Sequence, residues 1–253
     1  MFYLGLILSA FIGLSLGLIG GGGSILTVPI LVYFLGVEAR EAVMMSLAVV
    51  GATSFFGFYL HWKRGNVNFS SGLLFGVSGV FGAFLGSRLT HLVSPGALLL
   101  IFGALMIAVA ISMLRHKKQT IDDPPQEVNR TKAILAGLGV GVLTGFLGVG
   151  GGFLIVPALV IFGGLAIKEA IGTSLLVIFL NCIAGLTGHA ALEQSGDFDW
   201  SLTALVMALA VVGAGLGTVL SHRLAAHRLQ KMFAVLVLTV GAFLIAKNYA
   251  VLW

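Results

Sequence analysis

The chain carries the same stretch of sequence twice, and this duplication constrains its fold more than any other feature. Shifting residues 17–61 by 128 positions places them on residues 145–189 without a gap. The first copy contains Gly17-Leu-Ile-Gly-Gly-Gly-Gly-Ser-Ile-Leu-Thr-Val-Pro29, and the second contains Gly145-Phe-Leu-Gly-Val-Gly-Gly-Gly-Phe-Leu-Ile-Val-Pro157. Glycine interruptions of an apolar segment at matching places in two halves are typical of membrane carriers, in which they mark the substrate site.

The composition indicates a protein that lies in a lipid bilayer. Hydrophobic residues make up 58% of the chain and charged residues only 9%, whereas soluble domains carry roughly 25% charged residues. The formal net charge of +5 does not indicate a nucleic-acid partner, because the basic residues lie in short loops between apolar runs. One cysteine excludes an intrachain disulfide, and no Cys/His spacing predicts a metal site or another cofactor.

Apolar runs between polar breaks predict an all-α polytopic membrane protein. They lie near 2–35, 39–61, 69–92 and 95–115, and again near 133–163, 167–190, 199–221 and 229–251. A helix over 2–35 would be about 51 Å long, against a hydrocarbon core of about 30 Å. Four consecutive glycines from Gly20 are also a poor helix interior. We therefore predict a broken-helix hairpin at the start of each half, with about five segments per half and eight to ten in total.

The placement of Lys and Arg supports the hairpins. If the first run of each half crossed the membrane once, eight basic residues would lie on one side and six on the other. If each run returns to its own side, the division becomes eleven against three, and the positive-inside rule assigns the larger set to the cytoplasm. The odd number of segments predicts two inverted repeats, with both termini outside. We place the first repeat at 1–115, a cytoplasmic linker at 116–131 and the second repeat at 132–253.

The predicted breaks suit a small anion. A helix start carries free N–H groups and about half a positive charge, so two facing starts supply about one positive charge. A cation carrier would keep an Asp or Glu at depth, and no central span contains one. The competing explanation is that the glycines serve only close helix packing.

The candidate substrate-binding residues are the glycines of the breaks, the helix starts and uncharged polar side chains on the next helix of each half. They are Gly20, Gly21, Gly22, Gly23, Ser24, Ser46, Thr53, Gly148, Gly150, Gly151, Gly152, Ser174 and Asn181. We expect Ser24 to be an N-cap. Pro29 and Pro157 are predicted hinges or helix breaks. Asn181 needs partners at mid-membrane, and these are either anion oxygens or a neighbouring helix.

Three basic side chains are candidates for proton coupling or for admitting an anion. His61 and His189 are repeat mates near helix ends, where we expect solvent access, and histidine titrates near neutrality. Arg88, near the outer end of its helix, has no basic repeat mate, and snorkelling is its competing explanation. No nucleophile, base or metal cluster lies at depth, so we predict no catalytic residues and no enzyme.

The doubled motif Gly-x-x-Gly-Gly-Gly-Gly-Ser-x-x-x-x-Pro and the Ser-Leu helices that follow resemble the TauE/SafE family of sulfite and organosulfonate exporters. The resemblance spans the chain and implies a bacterial-type inner-membrane permease that moves small sulfur-containing oxyanions by alternating access. Motif positions that match are Gly20, Gly22, Gly23, Pro29, Gly148, Gly150, Gly151 and Pro157. Val149 replaces the glycine found at Gly21, so equal binding by both hairpins does not follow.

Three alternatives remain open from the sequence. The chain could be an anion channel that uses the same helix starts without alternating closure. It could transport a different small organic anion. It could also be an intramembrane enzyme, or a subunit that assembles only with a partner, and the oligomeric state is not predicted.

Overall fold

A computed structural model describes residues 2–21, 23–115, 130–147, 152–190, 198–221 and 226–248. Over these ranges the chain forms ten α-helices and a 3₁₀ turn at Thr90–Leu92, and the described part contains no strand. The helices are α1 (Phe2–Ile19), α2 (Ser24–Tyr33), α3 (Ala39–Trp62), α4 (Phe69–Leu89), α5 (Pro95–Arg115), α6 (Arg130–Leu147), α7 (Gly152–Ile161), α8 (Ile167–Ala190), α9 (Trp200–Ser221) and α10 (Ala226–Asn248). The predicted all-α class is confirmed.

Four helices are long and apolar enough to cross a bilayer. They are the stretches Ala39–Trp62, Phe69–Leu89, Lys168–His189 and Trp200–Leu220, in α3, α4, α8 and α9. Shorter apolar stretches lie in α1, α2, α5, α6 and α10. The ten-residue helices α2 and α7 are only about 15 Å long, roughly half the thickness of a hydrocarbon core.

The chain reverses direction between α1 and α2. A Cβ atom at Gly23 would lie 3.0 Å from the backbone nitrogen of Leu16, so the start of α2 lies beside α1. A Cβ atom at Gly5 would lie 3.3 Å from the Cβ of Phe34, so the end of α2 lies near the start of α1. The residues of α2 from Ser24 to Leu31 are buried.

Helices at matching positions of the two halves cross antiparallel. On α3 and α8, a Cβ at Gly57 would lie 3.1 Å from Leu175, and a Cβ at Gly185 would lie 3.2 Å from Leu47. The residue numbers therefore rise along α3 as they fall along α8. On α5 and α10, Gly103 lies against Leu244 and Gly241 lies against Met106, which is the same antiparallel arrangement.

Further close contacts join helices of different halves through glycines. A Cβ at Gly17 would lie 2.8 Å from the backbone nitrogen of Thr218, which packs α1 against α9. A Cβ at Gly145 would likewise lie 2.8 Å from the backbone nitrogen of Ser87, which packs α6 against α4. Gly145 lies 128 positions after Gly17, and Thr218 lies 131 positions after Ser87, so the two contacts are equivalent and the halves interlock.

The helix starts of α4 and α9 are also equivalent. The side chain of Asn68 accepts a hydrogen bond from the backbone N–H of Ser71 at 3.0 Å, and Asp199 accepts one from Leu202 at 2.9 Å. Each side chain satisfies one of the first-turn amides that a helix leaves unpaired. Asn68 and Asp199 are 131 positions apart, the same offset as the packing contacts of these helices.

Glycine contacts of α6 predict opposite effects of alanine at two nearby positions. A Cβ at Gly141 would lie 2.7 Å from the Cα of Gly79, so Gly141→Ala should lower stability by about 1–3 kcal/mol through overpacking. Gly139 is exposed with nothing within 4 Å, so Gly139→Ala should be neutral or stabilise by up to about 1 kcal/mol through helix propensity. Thermal unfolding in detergent measures both variants, and equal melting temperatures would contradict the close α4–α6 contact.

Candidate functional site

The starts of the two short helices meet at their glycines. A Cβ at Gly21 would lie 2.7 Å from the Cα of Gly152, and a Cβ at Gly152 would lie 2.5 Å from the Cα of Gly21. No side chain fits at either position without displacing backbone, so the two segments approach each other only because both residues are glycine. The predicted residues Gly22, Gly148, Gly150 and Gly151 lie outside the described residues.

The N-terminus of α2 is not capped by a side chain. Gly23 is the N-cap residue and makes no side-chain cap, which corrects the expectation that Ser24 would be the cap. Ser24 is the first residue of the helix instead, and its hydroxyl donates to the carbonyl of Gly21 at 2.7 Å. Of the first-turn amides, that of Leu26 donates to the carbonyl of Gly23 at 3.1 Å. No described side chain caps the positive end of α2, which lies beside the contact between Gly21 and Gly152.

Carbonyl groups of the first break are satisfied by neighbouring hydroxyls. Gly20 has a φ of 77°, and its carbonyl oxygen accepts from the hydroxyl of Ser174 on α8 at 2.7 Å. The same hydroxyl lies 2.7 Å from the carbonyl of Ile171, and Ser24 satisfies the carbonyl of Gly21. These hydrogen-bonded carbonyls are less available to a cation, and the amide of Gly20 is also used, because it donates to the carbonyl of Leu16 at 2.8 Å.

The C-terminal end of α6, just before the second break, is held by two side chains. His189 Nε2 lies 3.1 Å from the carbonyl of Gly145, and the hydroxyl of Thr90 donates to the carbonyl of Phe146 at 2.8 Å. The exposed fraction is 2% for His189 and 3% for its repeat mate His61. The expectation of solvent access at these histidines is therefore wrong, because neighbouring helices cover both helix ends.

One face of α8 contacts both breaks. Ser174 bonds Gly20, Ile178 would meet any side chain at Gly152, and a Cβ at Gly185 would lie 3.7 Å from the Cα of Gly145. These three residues and Asn181 share one helical face, because spacings of three and four residues stack along a helix. α8 therefore runs past the first break and along the described ends of the second.

Several buried polar atoms on α3 and α8 have no hydrogen-bond partner among the described residues. The uncharged ones include Ser46 Oγ, Ser54 Oγ, Asn181 Oδ1 and Asn181 Nδ2. All three residues are fully buried, and an unpaired buried polar group costs about 1–3 kcal/mol. The Asn181 amide rests against Gly79, where a Cβ would lie 2.8 Å from Nδ2. The described neighbouring helices thus leave this amide free for another partner.

The other predicted residues make their contacts within their own helices. Thr53 returns its hydroxyl to the carbonyl of Val49 at 2.6 Å. Pro29 and Pro157 lie inside α2 and α7, where each removes a backbone donor from the helix. Arg88 is exposed and lies over the ring of Phe84, with 4.6 Å from guanidinium carbon to ring centroid, so it is not part of the meeting place of the breaks.

Two contact residues escaped the sequence analysis. Ile178 was missed because it is apolar, although its place four residues after Ser174 puts it on the same helical face. Thr90 was missed because it follows α4, and no local signal indicates its bond to Phe146. Among the described residues, no group of three or more His, Cys, Asp or Glu side chains could hold a metal ion.

Comparisons with known proteins found one matching family and several relatives named as membrane transporters. The model of the family described as "Sulfite exporter TauE/SafE" matches residues 5–244. A probable membrane transporter protein of Xylella fastidiosa (strain 9a5c) is 35% identical over 248 residues, covering 94% of this chain and 93% of the relative. One of Bacillus subtilis (strain 168) is 29% identical, covering 81% and 84%, and one of Methanocaldococcus jannaschii is 29% identical, covering 95% and 94%. No solved structure matches the chain.

The two repeat-mate serines should respond differently to truncation. Ser174→Ala removes the side-chain donor of the Gly20 carbonyl and should lower stability by about 1–3 kcal/mol. Ser46→Ala removes a hydroxyl that has no partner among the described residues, so it should be neutral or slightly stabilising. Thermal unfolding of both purified variants in detergent tests this difference, and a loss of equal size at both positions would contradict it.

Proposed function

The chain belongs to the TauE/SafE sulfite exporter family, and on this basis we propose that it is a secondary transporter of small sulfur-containing oxyanions such as sulfite or organosulfonates. It is a multi-pass membrane protein, as its apolar helices and the names of its relatives indicate. Those names describe transport, and we propose neither a catalysed reaction nor a cofactor. The bacterial-type inner membrane is the proposed location.

The contact between Gly21 and Gly152 is the observation that carries this proposal. It brings the N-terminal ends of α2 and α7 together, and two helix starts supply about one positive charge. The carbonyls of Gly20 and Gly21 accept hydrogen bonds from Ser174 and Ser24. Their partial negative charges therefore cancel less of the positive charge of the helix starts. A monoanion bound there near the midplane needs no Lys or Arg beside it, which suits an apolar surrounding.

We propose that residues 1–115 and 132–253 are inverted repeats joined by a cytoplasmic linker at 116–131. The antiparallel crossings of α3 with α8 and of α5 with α10 support inversion, because each crossing pairs a helix with its repeat mate. The reversal of the chain between α1 and α2 supports the proposed hairpin. In this arrangement alternating access is a rocking of one repeat against the other, with Pro29 and Pro157 as hinges.

His189 is the proposed proton-coupling residue. It is 2% exposed, and Nε2 lies 3.1 Å from the Gly145 carbonyl at the end of α6. Histidine changes charge near neutral pH, so protonation would alter the attraction between its ring and this carbonyl. A change in this attraction would affect the C-terminal end of α6, which comes just before the second break.

Labelling of introduced cysteines tests the proposed topology. With hairpins, Ser94 lies outside and Ala166 lies in the cytoplasm, whereas eight single crossings would place both on one side. Both residues are exposed, and the native Cys182 is buried, so it adds little background. We expect a membrane-impermeant maleimide to label Ser94→Cys in intact spheroplasts and Ala166→Cys only in inverted vesicles. Labelling of both from the same side would contradict the hairpins.

Flux measurement in proteoliposomes tests the function itself. Purified protein should give saturable uptake of ³⁵S-labelled sulfite that is accelerated by unlabelled sulfite on the opposite side, which a simple channel would not show. Gly21→Val should abolish uptake while the protein still enters the membrane, because any Cβ there meets the backbone of Gly152. The matched control is Gly139→Val, at an open position of α6. Absence of sulfite and sulfonate flux in the wild type would refute the proposed substrate class.

A further inference from the structure

The two halves differ at positions 53 and 181, which are repeat mates. Thr53 on α3 donates its hydroxyl to the carbonyl of Val49 at 2.6 Å, so its single donor hydrogen is used within its own helix. Asn181 on α8 is fully buried, and neither Oδ1 nor Nδ2 has a partner among the described residues. Of these two repeat mates, Asn181 alone leaves a buried donor unpaired among the described residues.

Asn181 lies on the face of α8 that passes the helix breaks. Ile178, three residues earlier, contacts Gly152 at the start of α7, and Gly185, four residues later, lies beside Gly145 near the end of α6. Asn181 thus lies between two α8 residues that contact the described residues on either side of the second break. Gly79 on α4 leaves the space that the amide occupies, because a Cβ there would lie 2.8 Å from Nδ2.

An asparagine amide needs two kinds of hydrogen-bond partner from a ligand. Nδ2 carries two donor hydrogens and requires an acceptor, whereas Oδ1 is an acceptor and requires a donor. A ligand that offers acceptor oxygens alone satisfies Nδ2 and leaves Oδ1 unpaired. A ligand with an anionic oxygen and an O–H group on the same small centre satisfies both atoms.

We infer that Asn181 makes the site selective for a monoprotonated oxyanion, with Nδ2 donating to an anionic oxygen and Oδ1 accepting from the ligand's O–H. This inference rests on the proposed transport function. The single charge of such a ligand matches the roughly one positive charge of the two helix starts. Hydrogen sulfite is a sulfur oxyanion of this kind, whereas an alkanesulfonate has oxygens of the same geometry but no O–H.

Substrate competition in the wild type is the first part of the test. Uptake of ³⁵S-labelled sulfite into proteoliposomes is measured at a mildly acidic pH, at which hydrogen sulfite predominates. Unlabelled sulfite or unlabelled methanesulfonate is added as the competing anion. We expect methanesulfonate to inhibit about ten- to a hundredfold more weakly, because it leaves a buried acceptor unpaired. Equal inhibition by the two anions would overturn the inference, whatever any variant does.

Replacement of Asn181 by its repeat mate is the second part. Asn181→Thr should bring the two inhibition constants to within about threefold of each other, because a threonine hydroxyl can return to its own helix as Thr53 does. The control is Thr187→Val, which removes a hydroxyl bonded within α8 to Ala184 and should keep the wild-type preference. An unchanged preference in Asn181→Thr would overturn the role of Asn181. Lack of any sulfur-anion flux in the wild type would instead refute the function on which the inference rests.

Discussion

The structure depends on what happens to backbone groups where a helix is interrupted in an apolar surrounding. Unpaired N–H and C=O groups are costly away from water, so a break must be compensated by the protein or by what it binds. Here side chains compensate carbonyls rather than amides, because the hydroxyls of Ser174 and Ser24 donate to carbonyls, whereas no described side chain caps the start of α2. The carbonyl of Gly23 serves one amide of α2, that of Leu26.

Close packing of glycines makes this arrangement possible. α1 approaches α9, and α6 approaches α4, at distances that allow no Cβ atom at Gly17 or Gly145. Such contacts take the place of hydrophobic burial, which provides little association between helices within lipid. The same residue type makes close helix contacts in α1 and α6 and the buried contact between Gly21 and Gly152. Packing alone accounts for these contacts, but it does not account for the unpaired amide of Asn181.

The sequence predicts the helical class, the family and the position at which α1 ends, because these follow from hydropathy, a doubled motif and the low helix propensity of glycine. It does not predict which polar groups are satisfied. Ser46 and Ser174 lie in the same Ser-Leu context, yet only Ser174 has partners among the described residues. That difference arises from the neighbouring helices. The burial of His61 and His189 was missed for the same reason, since a place near a helix end does not reveal what packs against it.

α8 has a mechanical consequence for the whole molecule. It is a continuous helix of 24 residues, about 36 Å long, in which Ser174 contacts Gly20 and His189 contacts Gly145. Because one continuous helix makes both contacts, a movement of α8 that changes its contact with Gly20 also changes its contact with Gly145.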